Sequence, residues 1–227
     1  LHAGFYYSPN SLKAKFCREG NRELRELCQR HSIPVINTGK IVVAKNNTEL
    51  NELEKLYLRG LQNDVKIELL EEKQLKEYEP YARTHQRFLC SPTTGVSDPH
   101  AVIAGLSREF VDLGGTLIHS SLLEVKDNGR ITINGEAVEF RHFVNCAGTQ
   151  SDRIAQKFNV GNEFTMMPFM GVYKSVLHAR LPLRTLIYPV PHPINPFLGV
   201  HFTLTIDGQT KIGPTAIPVL GRENYSI

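Results

Sequence analysis

One turn in the second half of the chain limits the fold more than any other feature. A short, mainly apolar stretch ends there in Asn145-Cys146-Ala147-Gly148, and a helical pattern begins at Ser151. Small residues at a strand-to-helix turn let the backbone approach a flat or phosphorylated ligand closely. In open α/β sheets, such turns lie at the carboxyl ends of strands, where ligands bind. The turn therefore predicts a strand, a ligand-binding loop and a helix in succession.

The usual phosphate-binding signature is missing from this sequence. No Gly-x-Gly-x-x-Gly loop is present, so a complete dinucleotide-binding domain and an NAD-dependent dehydrogenase are both disfavoured. The chain begins with Leu1-His2-Ala3-Gly4, without a methionine and within what reads as structure. We therefore expect it to be the central portion of a longer protein.

Charge and hydropathy limit the partners and the compartment. The 227 residues have a net charge of +3, and Lys and Arg are scattered, which argues against nucleic acid as a partner. No apolar stretch approaches the roughly 20 residues that span a bilayer, and no signal-peptide pattern is visible. We expect a cytoplasmic protein, and peripheral contact with the inner membrane stays open.

The four cysteines favour free thiols over a metal site. Cys17, Cys28, Cys90 and Cys146 include no Cys-x-x-Cys pair, and no histidine has metal-ligand spacing with another histidine, Asp or Glu. Two disulfides could form in principle, but a chain with this much apolar content does not need them. The sequence predicts reduced, buried cysteines and no bound metal.

Helical patterns dominate the first part of the chain. Ser11 is expected to cap a helix that runs to about His31. A strand is predicted over 40–44, and further helices over 48–61 and 71–79. The apolar stripe of the first helix consists of Leu12, Phe16, Leu24, Leu27 and Cys28.

A second strong helix signal stands near residue 100. Asp98 as N-cap and Pro99 at the first helical position predict a helix that ends before Gly114-Gly115. A strand over 116–119 is expected to follow. The buried face expected for this helix consists of Val102, Ile103, Leu106, Phe110 and Leu113.

Strand patterns become more frequent after residue 120. Strands over 122–126, 130–134 and 137–141 are predicted to form a small meander that leads into the strand before Cys146. A helix is expected over 151–158. Later strands are predicted over 169–177, 186–190, 198–204 and 210–213, the last two joined at Asp207-Gly208.

Two kinds of secondary-structure pattern alternate along the chain. They predict two discontinuous domains of a mixed α/β and α+β fold. Residues 1–34 and 98–160 suit an incomplete, Rossmann-like nucleotide-binding layer. Residues 35–97 and 161–227 suit an antiparallel sheet with helices on one side.

Four stretches in a fixed order carry a resemblance to a known family. They are His2-Ala3-Gly4-Phe5-Tyr6-Tyr7 with Ser11-Leu12-Lys13-Ala14, Thr94-Gly95-Val96-Ser97-Asp98, Val144-Asn145-Cys146-Ala147-Gly148 with Ser151-Asp152-Arg153, and 187–191 with 196–203. With them the chain resembles the FAD-dependent oxidoreductases of the D-amino-acid oxidase, glycine oxidase and sarcosine oxidase type. Within that family it is most similar to the L-2-hydroxyglutarate dehydrogenases and oxidases. The last stretch, continued by 212–216, is the most diagnostic.

The resemblance implies a flavin reaction. Residues 1–34 and 98–160 would belong to an FAD-binding domain, and 35–97 and 161–227 to a substrate-binding domain. L-2-hydroxyglutarate would be oxidised to 2-oxoglutarate by hydride transfer to FAD. The implied partners are this small 2-hydroxy dicarboxylic acid and an electron acceptor, which is oxygen, a quinone or an electron-transfer protein. An amino-acid or amine oxidase of the same fold and a catalytically inert, oligomeric domain stay open as alternatives.

The resemblance also points to catalytic and substrate-binding residues. His201, which alternates with Val200 and Phe202, is the first candidate for the base or the substrate-orienting group. A half-buried sheet histidine that bonds a backbone carbonyl is the structural alternative. His2 is the second candidate, and Tyr173 and Thr215 are expected near the substrate.

The remaining predicted site residues concern the cofactor. The residues expected near FAD are Leu123, Cys146, Ala147, Gly148, Ala3 and Gly4. Arg222 lies in a polar tail and is expected to be solvated. Since the phosphate loop is missing, we expect the 227 residues alone to bind FAD weakly or not at all and to show no turnover.

Overall fold

The computed structural model describes residues 1–126, 129–192 and 199–225. The chain forms two compact units, each assembled from two stretches. Unit 1 comprises Leu1–Leu113 and Val172–Thr215, and unit 2 comprises Gly114–Gly171 and Ala216–Ile227. The mixture of helices with several sheets confirms the predicted fold class.

Helices and strands alternate through most of the described residues. The α-helices are α1 (Leu12–Arg30), α2 (Asn47–Gln62), α3 (Leu75–Tyr78), α4 (Pro99–Asp112) and α5 (Ser151–Lys157). The strands are β1 (Val35–Ile36), β2 (Lys40–Val43), β3 (Glu68–Glu71), β4 (Arg87–Ser91), β5 (Val96–Ser97), β6 (Leu123–Val125), β7 (Ile131–Ile133), β8 (Glu136–Val138), β9 (Phe169–Met170), β10 (Lys174–Leu177), β11 (Leu186–Pro189), β12 (His201–Leu204), β13 (Gln209–Gly213) and β14 (Ile217–Pro218).

A seven-stranded sheet forms the centre of unit 1, in the order β10-β13-β12-β11-β2-β4-β3. Its neighbouring strands are antiparallel except β11 and β2, which run parallel with Ile187 opposite Ile41. The hairpin predicted at Asp207-Gly208 joins β12 to β13. The parallel pair brings the two halves of unit 1 into one sheet.

Each face of this sheet has its own apolar core, because alternate residues of a strand point to opposite sides. One face packs Val42 and Tyr188 against α2 and against Phe5, which is fully buried. The other face packs Ile41 and Phe88 against α3 and the loop that follows it. Lys40 belongs by alternation to the same face as Val42.

The predicted stripe of α1 is only partly correct. Leu27 and Cys28 are buried, whereas Leu12 and Phe16 near the start of the helix are exposed. The N-cap prediction is confirmed, since the Ser11 side chain accepts a hydrogen bond from Ala14 N. Only the C-terminal half of the stripe therefore reaches the core.

The start of α4 is confirmed, but its predicted buried face is wrong. Asp98 Oδ1 accepts hydrogen bonds from His100 N and Ala101 N, at 2.8 and 3.3 Å, with Pro99 at the first helical position. Most of the predicted face is exposed, namely Ile103, Leu106, Phe110 and Leu113. The helix instead packs near the end of α1 through Gly105 and Glu109. A search for periodic apolar residues does not detect either of them.

Two close contacts define this packing of α4 on α1. A Cβ atom on Gly105 would come within 3.3 Å of both His31 Cγ and Ile33 Cδ1, so glycine allows the close approach. One turn later, Glu109 Oε1 accepts hydrogen bonds from Arg30 Nε at 2.9 Å and from His31 Nε2 at 3.0 Å.

Two predictions around α2 and α3 are also corrected. The helix expected over 48–61 begins earlier, at Asn47, after an N-cap at Asn46 whose side chain accepts from Glu49 N. The helix expected over 71–79 starts later, because β3 pairs with β4 through Glu71 opposite Arg87. A short 3-10 turn then leads into α3.

Unit 2 contains a three-stranded sheet in the order β6-β7-β8, which confirms the predicted meander. A two-stranded pair of β9 and β14 and helix α5 complete its regular structure among the described residues. The strands predicted over 116–119 and immediately before Cys146 are wrong, since both stretches are irregular. A strand needs a hydrogen-bonded neighbour, and no described strand pairs with either stretch.

Candidate functional site

Lys40 is the most unusual polar residue of unit 1. It is 1% exposed, and its Nζ atom has no hydrogen-bond partner among the described residues. Nζ lies over three aromatic rings, 5.2 Å from the centroid of Phe5, 4.8 Å from Tyr6 and 4.3 Å from Tyr188. Ring faces attract a cation, but burial without a polar partner disfavours the charged form. Burial accordingly lowers the pKa of Lys40 to about 7.

The local fold explains how a lysine reaches this position. Gly39 adopts a φ of +63°, a left-handed turn that favours glycine, and its N–H donates to Thr94 O at 3.0 Å. Lys40 follows as the first residue of β2, opposite Leu186 of β11. Strand alternation then directs its side chain into the core face of the sheet.

His201 lies at the start of β12 and is 6% exposed. Its Nδ1 atom is 2.9 Å from Gly199 O, and its ring stacks on Tyr188 with centroids 3.9 Å apart and planes 18° apart. A carbonyl oxygen only accepts, so Nδ1 carries the proton and Nε2 of the neutral ring is the acceptor. Burial is the main cause that lowers the pKa of His201, with Lys40 adding to it. The ring is therefore neutral and fixed in one tautomer at neutral pH.

His2 completes a group of three basic side chains. Its backbone oxygen accepts from Asn21 Nδ2 at 3.0 Å, which ties the segment to α1. Although His2 retains solvent exposure, burial first, and then the charges of Lys40 and of its neighbours, lower its pKa to about 4. We call Lys40, His2 and His201 the basic cluster.

No carboxylate of the described residues contributes to the pKa shifts of the basic cluster. The nearby acidic protons are phenolic, and burial raises the pKa of both Tyr6 and Tyr188. The cluster is therefore a partly dry group of nitrogen donors and acceptors with no opposing carboxylate, in which Lys40 alone carries part of a positive charge at neutral pH.

Tyr173 and Thr215 lie in unit 1, close to the end of β13. Tyr173 packs on Gly213, where an added Cβ atom would be 2.7 Å from Tyr173 Cδ1 and 2.8 Å from Val172 O. Tyr173 also acts electrostatically to raise the pKa of Tyr188, which places it beside the basic cluster. Thr215 Oγ1 accepts from Val172 N at 3.1 Å and so holds the segment that carries Tyr173. The substrate roles of both residues stay predictions.

Three of the predicted cofactor residues line one open cleft in unit 2. Leu123, Cys146 and Ala147 face this cleft, which has a volume of about 580 Å³ and is otherwise lined mainly by apolar side chains. Gly148 follows with a φ of +54°, and an added Cβ atom there would meet nothing within 4 Å. An apolar cleft beside an open backbone turn fits a flat ring such as adenine.

Ala3 and Gly4, the other two predicted cofactor residues, lie in unit 1. Ala3 is buried in the core that contains Phe5. Gly4 has a φ of +96° and packs against α1, where an added Cβ atom would be 3.2 Å from Cys17 Cβ. Their observed role is close packing of the segment that carries His2, and a contact with FAD stays a prediction.

Arg222 is not solvated, which corrects the prediction for this residue. Its guanidinium forms a two-pronged ion pair with Asp152, with Nη2 2.8 Å from Oδ2, and Nη1 also donates to Thr149 O at 2.6 Å. Both side chains are largely buried, at 12% and 7% exposure. The pair fixes the C-terminal segment to α5 within unit 2.

One open cavity of unit 1 does not contain the basic cluster. It has a volume of about 770 Å³ and lies on the opposite face of the sheet, where Val43, Ile187 and Phe202 line it. Its lining carries both signs of charge, from Glu49 and Glu52 and from Lys45, so it does not select for an anion.

The cysteines and the membrane prediction can be compared directly with the structure. All four cysteines are free thiols, but only Cys28 and Cys90 are buried, while Cys146 is exposed at the cleft. Across the described ranges, no three His, Cys, Asp or Glu side chains converge as a metal site would need. Within the same ranges, no helix has the length and apolar character to cross a membrane.

Lys40, Tyr188 and Gly213 are the site residues that sequence reasoning missed. Lys40 and Tyr188 stand in apolar strand patterns, which predict core positions and not function. One signal was available for Lys40, because alternation places it on the same face as Val42 and Ala44. The contact of Gly213 with Tyr173 depends on tertiary structure and has no local signal.

The basic cluster and the open small-residue turn are features expected of a protein that binds small molecules. The model of the FAD dependent oxidoreductase family matches residues 1–226, and the chain belongs to that family. It is 36% identical over 245 residues to the mitochondrial L-2-hydroxyglutarate dehydrogenase of Pongo abelii, across 99% of this chain and 58% of that protein. The chain thus spans little more than half the length of this relative.

Solved structures of more distant sequence share the fold. Glycine oxidase from Geobacillus kaustophilus superposes with a TM-score of 0.73 at 16% identity, over 96% of this chain and 60% of that chain. The L-α-glycerophosphate oxidase of Mycoplasma pneumoniae, solved with FAD bound, gives a TM-score of 0.73 at 19% identity, over 100% of this chain and 62% of that chain. At these identities the comparison establishes the fold alone.

Proposed function

We propose that the protein carrying this chain oxidises L-2-hydroxyglutarate to 2-oxoglutarate, with FAD as the immediate electron acceptor. The observation that carries the proposal is the neutral, tautomer-fixed His201 within a basic cluster that no carboxylate opposes. The 36% identity to an L-2-hydroxyglutarate dehydrogenase over nearly the whole chain supports the choice of substrate.

The cleft of unit 2 supports the choice of cofactor. Leu123 would lie against the adenine of FAD, and Cys146, Ala147 and Gly148 would bring backbone close to its ribose or diphosphate. Bound FAD would supply the two-electron acceptor that alcohol oxidation requires. Residues 1–34 and 98–160 remain our proposal for the FAD-binding domain, and 35–97 and 161–227 for the substrate domain.

His201 would act as the general base of this reaction. Its Nε2 atom would accept the proton of the substrate hydroxyl, while Nδ1–H stays donated to Gly199 O. The stack on Tyr188 fixes the ring plane during this transfer. His2, which a pKa of about 4 keeps neutral, would hydrogen-bond the substrate without adding a charge.

The other predicted residues would orient the substrate. Tyr173, 46% exposed beside Gly213, would donate its phenol to a carboxylate, and the Thr215 hydroxyl would retain a donor for the same purpose. Since the substrate carries two carboxylates, a site without opposing acidic groups suits it.

The identity of the final electron acceptor belongs to the same proposal. Oxygen, a quinone or an electron-transfer protein would reoxidise the cofactor. A cytoplasmic location, with peripheral contact to the inner membrane, and a homo-oligomeric state are further proposals about the whole protein.

Substrate choice can be tested by anaerobic bleaching of the flavin absorption band. The natural gene product that carries these residues is mixed in turn with L-2-hydroxyglutarate, D-2-hydroxyglutarate, glycine, sarcosine and proline. We expect bleaching with the L-hydroxy acid and none with its mirror image. Bleaching by an amino acid alone would replace the proposal with an amine or amino-acid oxidase.

A further inference from the structure

The cluster around Lys40 contains two buried donors without acceptors. Lys40 Nζ and Tyr6 Oη both lack a hydrogen-bond partner among the described residues, although both are removed from solvent. An unpaired buried polar group costs stability, so native proteins rarely keep two in one place. The missing partner must supply hydrogen-bond acceptors, because an ammonium group has only donors and a phenol at neutral pH retains its proton.

We propose that Lys40 is an anion-binding residue that receives a carboxylate of the substrate, and that Tyr6 donates to the same group. The anion is the carboxylate beside the carbinol carbon of a 2-hydroxy acid, or the equivalent group of a 2-oxo acid. This identity of the acid rests on the proposed function, whereas the anion site itself rests on the two unpartnered donors.

Charge around Lys40 favours an anion over a neutral ligand. His2 and His201 both have their pKa lowered in part by Lys40, so they lie within its field. The thiol of Cys17 on α1 is the group that acts to raise the pKa of Lys40, and no carboxylate of the described residues contributes to that shift. An arriving carboxylate would therefore meet no fixed negative charge.

The aromatic rings around Lys40 explain how its side chain stays stable in the absence of a bound anion. Phe5, Tyr6 and Tyr188 surround Nζ at 4.3 to 5.2 Å and exclude water, while their faces moderate the cost of the cation. A carboxylate that entered this dry cage would form a charge-assisted hydrogen bond that is stronger than in water. The rings thus make Lys40 selective for an anion of the right shape.

Binding should also change the protonation of Lys40. At pH 8 a lysine whose pKa is about 7 is mostly neutral, and a bound carboxylate would restore its charge by raising that pKa. The protein would then take up as much as about one proton per anion bound. The titratable side chains that face or influence Lys40 are His2, Tyr6, Tyr188, His201 and the thiol of Cys17.

Calorimetric titration with 2-oxoglutarate tests the inference without turnover. The natural gene product, saturated with FAD, is titrated at pH 8 in two buffers of different ionisation enthalpy. We expect binding with proton uptake for the wild type. Lys40→Met should weaken binding about ten- to a hundredfold and remove the uptake. Lys13→Met, a change at an exposed lysine of α1, is the matched control and should bind as the wild type does.

Two outcomes would overturn the inference. One is wild-type affinity in Lys40→Met, and the other is binding by the wild type without proton uptake, which needs no variant at all. The dimethyl ester of 2-oxoglutarate should not bind, and equal binding of this neutral ester would also contradict an anion site. If Lys40-dependent binding persists while L-2-hydroxyglutarate fails to reduce FAD, the anion site stands and the proposed substrate falls.

Discussion

Lys40 occupies a place where an apolar residue would be more stable. Its side chain lies in the same core face as Val42 and has no counter-ion among the described residues. Buried charges without partners are destabilising, and their replacement by an apolar residue of similar volume is often stabilising. A position of this kind is a mark of function that is retained at the expense of stability.

The free energy of unfolding should show the stability cost of burying Lys40. Lys40→Met is expected to increase it by about 1–3 kcal/mol at pH 7. The pKa of Lys40 is lowered to about 7 from 10.5 in the unfolded chain, so between these values only the unfolded state binds the proton. The wild type should therefore gain stability as pH rises from 7 towards 10, and the variant should gain less. Urea unfolding at a series of pH values measures both effects, and a destabilised Lys40→Met would contradict them.

His201 allows a second prediction at this scale. His201→Gln removes the Nε2 base while keeping a hydrogen-bonding side chain, so turnover should fall by about 10²- to 10⁴-fold. The wild-type rate should decrease at low pH when the ring becomes protonated, and that limb should be absent from the variant. His100→Gln, at an exposed histidine of α4, should retain the wild-type rate. A variant at residue 201 with nearly full activity would exclude the general-base role.

Sequence reasoning reached His201 and missed Lys40 for a physical reason. The resemblance pointed to His201, whose bond to Gly199 O is the one that the structural alternative of a sheet histidine expected, so its role as a base stays a proposal. Lys40 is buried only because the distant β11 segment supplies Tyr188 beside it. The residues next to Lys40 in the sequence do not reveal a neighbour that comes from so distant a segment.

At the scale of elements, the end of β13 controls the position of Tyr173. Gly213 has a φ of +151°, and an added Cβ atom would overlap Tyr173 Cδ1 at 2.7 Å and Val172 O at 2.8 Å. Backbone and ring must both move to accept a side chain there. The strand end is therefore built around glycine.

Gly213→Ala should lower the free energy of unfolding by about 3 kcal/mol. Gly208→Ala is the matched control, because Gly208 also has a positive φ of +76° but an added Cβ atom there meets nothing within 4 Å. The control should lose only about 1 kcal/mol, the cost of a left-handed alanine. Thermal unfolding of both variants measures the difference, and equal losses would show that the contact with Tyr173 does not matter.

Elements differ in how far sequence could predict them. Capping residues and hairpin turns act locally, so Ser11, Asp98 and Asp207-Gly208 were interpreted correctly. The buried face of α4 was wrong, because the contact with α1 uses Gly105 and Glu109 in place of the apolar stripe. The strand before Cys146 was wrong because pairing, and not composition, makes a strand.

At the scale of the whole molecule, a largely buried ion pair links the C-terminal segment of unit 2 to α5. Arg222 bonds both oxygens of Asp152, and this contact is the main cause that holds the pKa of the Asp152 carboxyl well below its usual range. A depressed carboxyl pKa contributes stability above the unfolded value of about 3.8 and loses it as pH falls further. The pair therefore stabilises unit 2 at neutral pH and weakens only in strong acid.

Hydrogen exchange can test whether the two units open separately. Arg222→Ala should accelerate exchange in α5 while α2 of unit 1 keeps its protection, because the pair lies wholly within unit 2. Arg153→Ala, at an exposed arginine of α5, should leave exchange nearly unchanged. Equal acceleration in α2 and α5 would mean that the chain opens as one cooperative body.

The predicted domain boundaries differ from the division of the chain into packed units. The predicted division separated 1–34 from 35–97, whereas contacts unite Leu1–Leu113 with Val172–Thr215 around one sheet. The two descriptions divide the chain by different criteria, one by expected ligand and one by packing. Assignment of a domain to FAD or to substrate therefore stays a proposal.

The most direct test of this account is the anaerobic half-reaction of the natural gene product with L-2-hydroxyglutarate, measured together with its His201→Gln variant. The account predicts rapid loss of the oxidised flavin band in the wild type, release of 2-oxoglutarate in equal amount, and a reduction rate at least about a hundredfold lower in the variant. A wild-type flavin that stays oxidised in the presence of the L-hydroxy acid would contradict the proposed function.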